Sequence, residues 1–504
     1  MSQYACLDEL QNWLDSYLNF ERTPKKNIFW LDTMEFLCRK TGNPEASAPA
    51  FHVAGSKGKG SVSQMIASIL DAAGYRTGLY SSPHILDFVE RIGSAHGVFS
   101  EDTYQNAAEE LKQTISAIPA EELPGGRPLT WFELVTLYGF LCFRKAQTDY
   151  NVLEVGLGGR LDSTNVVNPL CSVITPIELE HTEFLGDTLE KIAAEKGGII
   201  KEGVPVVIAA QKDEVKAVFR KIAQEKHAKV YFVDEIVEKV SVKYMENVSR
   251  CAENQTYTAI KPVSITDESA QQRKKTLVEY NRNQHASGIG MRTQIASPLF
   301  RRPLTADLRL VGEFQAQNAA LAAIAVKTVL PDIDEKMLEK GLENAILPGR
   351  FEVFENPIVK NAASQKKTRS PAESASSARP FVILDGAHTP NSVRFTLETM
   401  RHVFGKKKCT LLFACAADKD AKEIAPLFKN QFDSVFLTKP GNVKQSDVGT
   451  LARAFDEAAI PYDLNEDFAV QIQKAFARAA ETDSLLLVTG SFYLLAEVKK
   501  IMFP

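Results

Sequence analysis

Phe51-His-Val-Ala54 runs directly into Gly55-Ser-Lys-Gly-Lys-Gly-Ser61, and that turn opens onto Ser61-Val-Ser-Gln-Met-Ile-Ala-Ser-Ile-Leu-Asp-Ala-Ala-Gly74. A short apolar strand, a glycine-rich turn and a helix-patterned segment, in that order, form the setting a phosphate-binding loop requires. Gly55, Gly58 and Gly60 let backbone N–H groups turn inward toward an anion, with Ser56 and Lys57 between them. The following helix adds positive potential at its N-terminus, Lys59 adds a full charge, and the Ser61 hydroxyl is within reach of a magnesium ion. The spacing departs from GxxxxGK[ST], because Gly60 separates Lys59 from Ser61.

The same rhythm recurs outward from this stretch. Val152 to Val155 precedes Gly156-Leu-Gly-Gly-Arg160, and Val204 to Ala210 precedes a helix-like segment from Asp213. Apolar runs alternating with helical stretches predict parallel β/α units, a sheet covered by helices. Near the end the pattern resumes in FVILDGAH, CTLLFACAADKD, SVFLTKP and SLLLVTGS. The expected fold is therefore α/β: an N-terminal P-loop-type parallel-sheet ATPase domain followed by a smaller Rossmann-like α/β domain. Leu347-Pro-Gly-Arg350 suits a hinge, which places the domains at 1–347 and 348–504. Residues 361–379 are polar and rich in Ser and Ala, and they read as a flexible loop. Residues 238–304 mix β-branched and polar stretches and read as irregular strands with an insertion.

Composition narrows the function. With 504 residues, 44% hydrophobic and 24% charged, the chain has material for more than one core. A formal net charge of −4 and the lack of a long basic run argue against nucleic acid as a partner. No apolar stretch approaches the roughly 20 residues a bilayer span needs, and the amphipathic N-terminus does not resemble a signal peptide. The seven cysteines, Cys6, Cys38, Cys142, Cys171, Cys251, Cys409 and Cys415, contain no CxxC pair and read as reduced thiols of a cytoplasmic protein. No Ser/His/Asp or Cys/His set stands out as a nucleophilic site. A monomer is the default expectation.

Further motifs accompany the loop: Tyr80-Ser-Ser-Pro-His84 with Glu90-Arg91-Ile92, Phe132-Glu133, Glu154-Val-Gly-Leu-Gly-Gly-Arg-Leu-Asp162 and His181-Thr-Glu-Phe-Leu-Gly186. Glu195-Lys196, Pro348-Gly-Arg350, Asp385-Gly-Ala-His388 and Thr489-Gly-Ser491 complete the series. GSKGKGS resembles the variant loop of the Mur ligase superfamily, and the whole series resembles the folylpolyglutamate synthase and dihydrofolate synthase family, in the right order from about residue 10 to the C-terminus. Three positions depart from the family pattern: Phe314 stands where histidine is common, Gly198 where alanine is usual, and Thr389 where asparagine often follows DGAH. Phe314 puts in doubt any polar contact made at that position.

The resemblance implies an ATP-dependent ligase. It activates a folate or dihydropteroate carboxylate as an acyl phosphate and joins it to L-glutamate, releasing ADP and phosphate. It implies two magnesium ions, with Glu154 bridging them, one shared with Ser61 and the ATP phosphates and the other with Ser82 and His181. Lys196 is the expected carrier of a carbamate formed from carbon dioxide, which requires burial to lower its pKa. Asn318 and Gln315 imply ATP contacts one helical turn apart; Arg350, Asp385 and His388 imply contacts made as the domains close over the nucleotide. Phe132, Glu133 and Asp162 resemble positions near the pterin and carboxylate end of the substrate pocket.

Each residue also has a plainer interpretation. Glu154 ends an apolar run, which speaks against a surface carboxylate. Imidazole is an unusual magnesium ligand, so His181 rests on the resemblance. Ser82 suits a cap, Lys196 a helix surface and Phe132 a core. Arg350, Asp385 and His388 suit caps or turns. Two other functions compete: a Mur-type ligase acting on a cell-wall precursor, and a nucleotide-gated scaffold that has lost catalysis. The first lacks the SSPH, GLGGRLD and LPGRFE wording, and the second sits badly with the presence of Ser61, Glu154, His181 and Lys196.

Overall fold

Every residue of β1 (Ala50–Ala54), the strand that leads into the glycine loop, is buried. This holds in the structure, a computed structural model describing residues 4–19, 30–245, 289–355, 381–417, 419–442 and 446–503. The first sheet adds β2 (Thr77–Tyr80), β3 (Ile92–Gly93), β4 (Tyr150–Glu154), β5 (Cys171–Ile174), β6 (Val206–Ile208) and β7 (Val230–Phe232), in the order β3-β2-β4-β1-β5-β6-β7. All its pairings are parallel except β2 with β3. A strand covered on both faces reads as a continuous apolar run, which is why β1 and β4 show no alternation. The chain builds β2, β3 and β4 on one side of β1 and then crosses to add β5, β6 and β7 on the other. The loops after the three adjacent strands β4, β1 and β5 therefore emerge side by side at their carboxyl ends, the switch point where such sheets bind ligands.

The helix after the loop, Lys59–Ala72, is buried at every position from Ser61 through Leu70. It has no solvent face because it lies against the sheet and under two helices, Glu313–Val329 and Glu335–Asn344. The closest approach is at Gly341, where a Cβ would stand 2.3 Å from the Ile69 Cα. Helix Trp131–Ala146 begins at a capping box in which Thr130 and Glu133 satisfy each other's backbone.

A three-stranded sheet, β10-β9-β8, follows from β8 (Lys239–Met245), β9 (Gly290–Ala296) and β10 (Leu304–Leu308). The last sheet contains β11 (Glu352–Phe354), β12 (Val382–Asp385), β13 (Cys409–Phe413), β14 (Ser434–Leu437), β15 (Asp463–Leu464) and β16 (Leu485–Thr489), ordered β11-β12-β16-β13-β14-β15. Only β11 is antiparallel to its neighbour. The apolar runs of FVILDGAH, CTLLFACAADKD, SVFLTKP and SLLLVTGS supply β12, β13, β14 and β16, as their patterning predicts.

Packing divides the described residues into two compact units. One takes those of Met1–Lys243, Arg292–Arg309 and Glu313–Leu347; the other takes those of Tyr244–Met291, Leu310–Gly312 and Pro348–Pro504. The loop expected at 361–379 lies outside the described residues, as do 246–288 of the expected insertion. Among the described residues no helix is long and apolar enough to cross a membrane, and Cys38, Cys142, Cys171, Cys409 and Cys415 are buried core members.

Gly341→Val forces a branched side chain onto the Ile69 backbone and is expected to destabilise the protein by about 1–3 kcal/mol. Chemical denaturation measures it; an unchanged midpoint would show that this helix contact yields freely.

Candidate functional site

The glycine loop is held from beneath by the segment after β5. Ser56 N–H donates to the Pro176 carbonyl at 3.0 Å. Ser56 Oγ donates to the Glu178 carbonyl and accepts the Glu178 N–H. Gly58 adopts a left-handed φ of 90°, and a Cβ there would meet Asn318 Oδ1 at 2.7 Å, so only glycine lets the loop close on that side chain. Asn318 in turn donates to Gln315 Oε1 at 3.0 Å, both buried on one face of Glu313–Val329. The expected helical-turn spacing of Gln315 and Asn318 is thus realised beside the loop.

Two lysine ammoniums meet at one carbonyl. Lys59 Nζ donates to the Gly55 carbonyl at 2.9 Å, and Lys196 Nζ donates to the same oxygen at 2.8 Å. Lys196 lies on helix Leu189–Gly197 and is 2% exposed, which rules out a helix-surface lysine. Its other partner is Glu180 Oε1 at 2.9 Å, while Lys57 Nζ lies 3.5 Å from Glu180 Oε2. Burial, reinforced by the Lys59 charge, lowers the Lys196 pKa to about 8 despite the Glu180 partner. Burial pushes the Glu180 carboxyl upward, but Lys59, Lys196, Lys57 and His181 outweigh it and hold Glu180 at about 2. Glu180 is the member that sequence reasoning missed. Its signal was available: an acidic residue in the loop after a buried strand, directly before His181. His181 itself takes a left-handed φ of 47° at the start of the short helix Thr182–Leu185.

Glu154, the last residue of β4, is buried beside the loop, its carboxylate oxygens 3.5 Å from the Cβ position of Gly60. Glu154 Oε2 accepts the Ser82 N–H at 3.2 Å, which brings two expected ligands together. The turn carrying Ser82 is shaped by Glu90, whose carboxylate accepts the N–H groups of Ile85, Leu86 and Asp87 at 2.7–2.8 Å. Arg91 is buried, stacks over Trp131 and donates to His84 Nδ1 at 2.8 Å. The SSPH and ERI motifs are therefore one folded loop.

Asp162 and Glu133, expected at the pterin end of the pocket, are engaged with their own backbone. Asp162 Oδ2 accepts the N–H groups of Gly156 and Leu157, and Oδ1 accepts the Thr164 N–H and hydroxyl. Buried His52 continues the chain through Nε2 to Thr164 Oγ1 at 2.8 Å. Glu133 Oε2 accepts both the N–H and the hydroxyl of Thr130. Burial raises both carboxyls above their ordinary range. Half-buried Phe132 lies edge-on to Tyr80, its ring tip 2.5 Å from the Cβ position of Gly156.

The remaining predicted residues cluster within the second unit. Asp385, at the end of β12, accepts the N–H groups of Phe351 at 3.0 Å and Ala387 at 2.8 Å. Burial raises its pKa to about 6 although the Arg350 charge opposes the rise. His388 Nδ1 hydrogen-bonds the Gly386 carbonyl at 2.8 Å, and its ring lies edge-on to Phe492, over which the Arg350 guanidinium stacks at 4.4 Å.

Among the described residues no three His, Cys, Asp or Glu side chains form a ready-made metal cage. Buried Glu154 and Ser61, with half-buried Ser82, supply oxygen donors around the glycine loop. Such a sparse oxygen set fits magnesium, which keeps several waters and shares phosphate oxygens.

A Mur ligase middle-domain model matches residues 53–326, and a model of the Mur ligase glutamate ligase domain matches residues 373–492. The chain is 29% identical over 505 residues to a Bacillus subtilis dihydrofolate synthase/folylpolyglutamate synthase, covering 99% of each. It is similar to the Mycobacterium tuberculosis folylpolyglutamate synthase solved with ADP and AMPPCP, at TM-score 0.75 and 26% identity over 100% of this chain and 99% of that one. It is also similar to the Escherichia coli FolC solved with DHPP and ADP, at TM-score 0.70 and 25% identity over 98% of this chain and 97% of that one.

Because Glu180 is held at about 2 in the folded state, below its ordinary 4.5, it adds stability that is complete above pH ~4.5 and lost as the pH falls toward ~2. Glu180→Gln is expected to lower the melting temperature at neutral pH and to flatten its fall on acidification. Parallel acid limbs for variant and wild type would refute this account of the cluster.

Proposed function

The chain belongs to the folylpolyglutamate and dihydrofolate synthase family of the Mur ligases, and on that premise we propose how its residues carry out ATP-dependent ligation of L-glutamate to a folate or dihydropteroate carboxylate. The carboxylate attacks the γ-phosphate of ATP to give ADP and an acyl phosphate. The amine of glutamate attacks the acyl carbon, and the tetrahedral intermediate expels phosphate. No protein nucleophile takes part; the work is positioning and charge stabilisation.

The convergence of Lys57, Lys59 and Lys196 on the Gly55–Gly58 loop, with Glu154 beside Gly60, carries this reading. The loop N–H groups and Lys59 cradle the phosphates. Gln315 and Asn318 contact the nucleotide from the adjoining helix; Arg350 binds its phosphates, and Asp385 and His388 are further nucleotide contacts. Ser61, Ser82, Glu154, His181 and Lys196 would hold two magnesium ions, which would neutralise charge on the transferring phosphoryl group. Lys196 would serve as a carbamate, its neutral amine adding to carbon dioxide with release of a proton and giving up the ammonium contacts to Gly55 and Glu180; burial and a pKa lowered to about 8 favour that neutral amine. Phe132 offers a ring for a pterin to stack on, and Glu133 and Asp162 shape the pocket wall through the backbone they hold. The enzyme acts as a cytoplasmic monomer.

ADP release from ATP in the presence of glutamate, with dihydropteroate, tetrahydrofolate or a cell-wall nucleotide precursor as acceptor, tests the function. Stimulation by the pteridines is expected, and stimulation by the cell-wall precursor alone overturns the folate assignment. Lys196→Ala is expected to abolish ligation, a loss of at least about 100-fold, while ATP binding measured by calorimetry persists. Normal turnover in that variant removes Lys196 from the mechanism.

A further inference from the structure

The hinge segment Pro348-Gly-Arg350 is held by a side chain from the far end of the chain. Lys499, on the C-terminal helix Phe492–Met502, is 1% exposed, and its ammonium lies 2.6 Å from Glu352 Oε2, itself buried. The same oxygen accepts the Gly349 N–H at 2.6 Å. The Gly349 carbonyl accepts the Gly386 N–H at 2.9 Å, and Phe351 N–H donates to Asp385. Phe351 takes a φ of 47°, a region a bulky residue occupies only when its surroundings hold it there. Arg350 thus sits between two anchored peptide groups, with its guanidinium over Phe492, the first residue of the helix that also carries Lys499.

A buried ion pair is a poor device for stability alone, because desolvation offsets most of the attraction and an apolar pair of similar size packs as well. An apolar pair lacks an acceptor for the Gly349 N–H. That N–H is buried, and leaving it unpaired frees the turn to rearrange.

We propose that Glu352 and Lys499 are positioning residues for Arg350. Lys499 keeps the Glu352 carboxylate aimed through their ion pair, Glu352 holds the Gly349 N–H, and together they set the direction in which the guanidinium is presented to the ATP phosphates. This rests on the phosphate role given to Arg350 above.

The test uses the full-length enzyme and compares Glu352→Leu/Lys499→Met with Glu352→Gln/Lys499→Met. The first removes the pair and the acceptor; the second removes the charges but keeps an acceptor for Gly349. The first is expected to fold with a near-normal melting temperature and to lose about 10- to 100-fold in kcat/KM for ATP, and the second to recover most of that loss. Added to Arg350→Ala, the first should cause no further loss. Full activity of the apolar variant, or an equal additional loss in the Arg350→Ala background, overturns the proposal. Normal activity of Arg350→Ala alone overturns instead the phosphate role of that arginine. Should the apolar variant fail to fold, hydrogen exchange decides on the wild type: the Gly349 and Phe351 amides are expected to be as protected as those of Val382–Asp385, and open-chain exchange at Gly349 overturns the proposal.

Discussion

One carbonyl oxygen, that of Gly55, receives the ammonium groups of both Lys59 and Lys196. Two positive groups so close together repel, and with Lys57 nearby the arrangement survives because the half-buried carboxylate of Glu180 lies among them. This knot ties the glycine loop to helix Leu189–Gly197 and to the segment after β5, which are remote in sequence. A loop dense in cations and backbone donors is also what a triphosphate needs.

The sheet makes the knot available. Because β4, β1 and β5 are neighbours and parallel, Glu154, the glycine loop and Glu180–His181 leave the sheet at one edge. The burial of helix Lys59–Ala72 on all sides keeps that edge rigid, since a helix with no solvent face cannot rotate without disturbing its neighbours. Around it, other carboxylates stiffen loops: Glu90 gathers three N–H groups, and Asp162 binds the Gly156 turn and, through Thr164, His52. The second unit repeats the device, with Asp385 and Glu352 holding the turn that bears Arg350.

Much of this was legible in the amino-acid order. Strand, glycine turn and helix at residues 51–74 specify their own local structure, because period and turn chemistry are short-range properties. The apolar runs before GLGGR and DGAH, the Gln315–Asn318 spacing and the buried position of Glu154 follow from the same rules. The resemblance carried the family and its reaction.

Tertiary structure decided which groups meet. Nothing local to Lys196 distinguishes it from a surface lysine, and its depressed pKa arises from burial and from the charges of Lys59 and Lys57, which are far away in the chain. Glu180 stands in a loop where no periodicity marks it, and the four donors that Asp162 gathers from the backbone and Thr164 come into view only in the fold. The pairing of Glu352 with Lys499 spans a whole domain. The sequence by itself determined the elements and their order, because these depend on neighbours along the chain. Only the folded structure determined the electrostatics of the site, because desolvation and Coulomb interaction depend on neighbours in space.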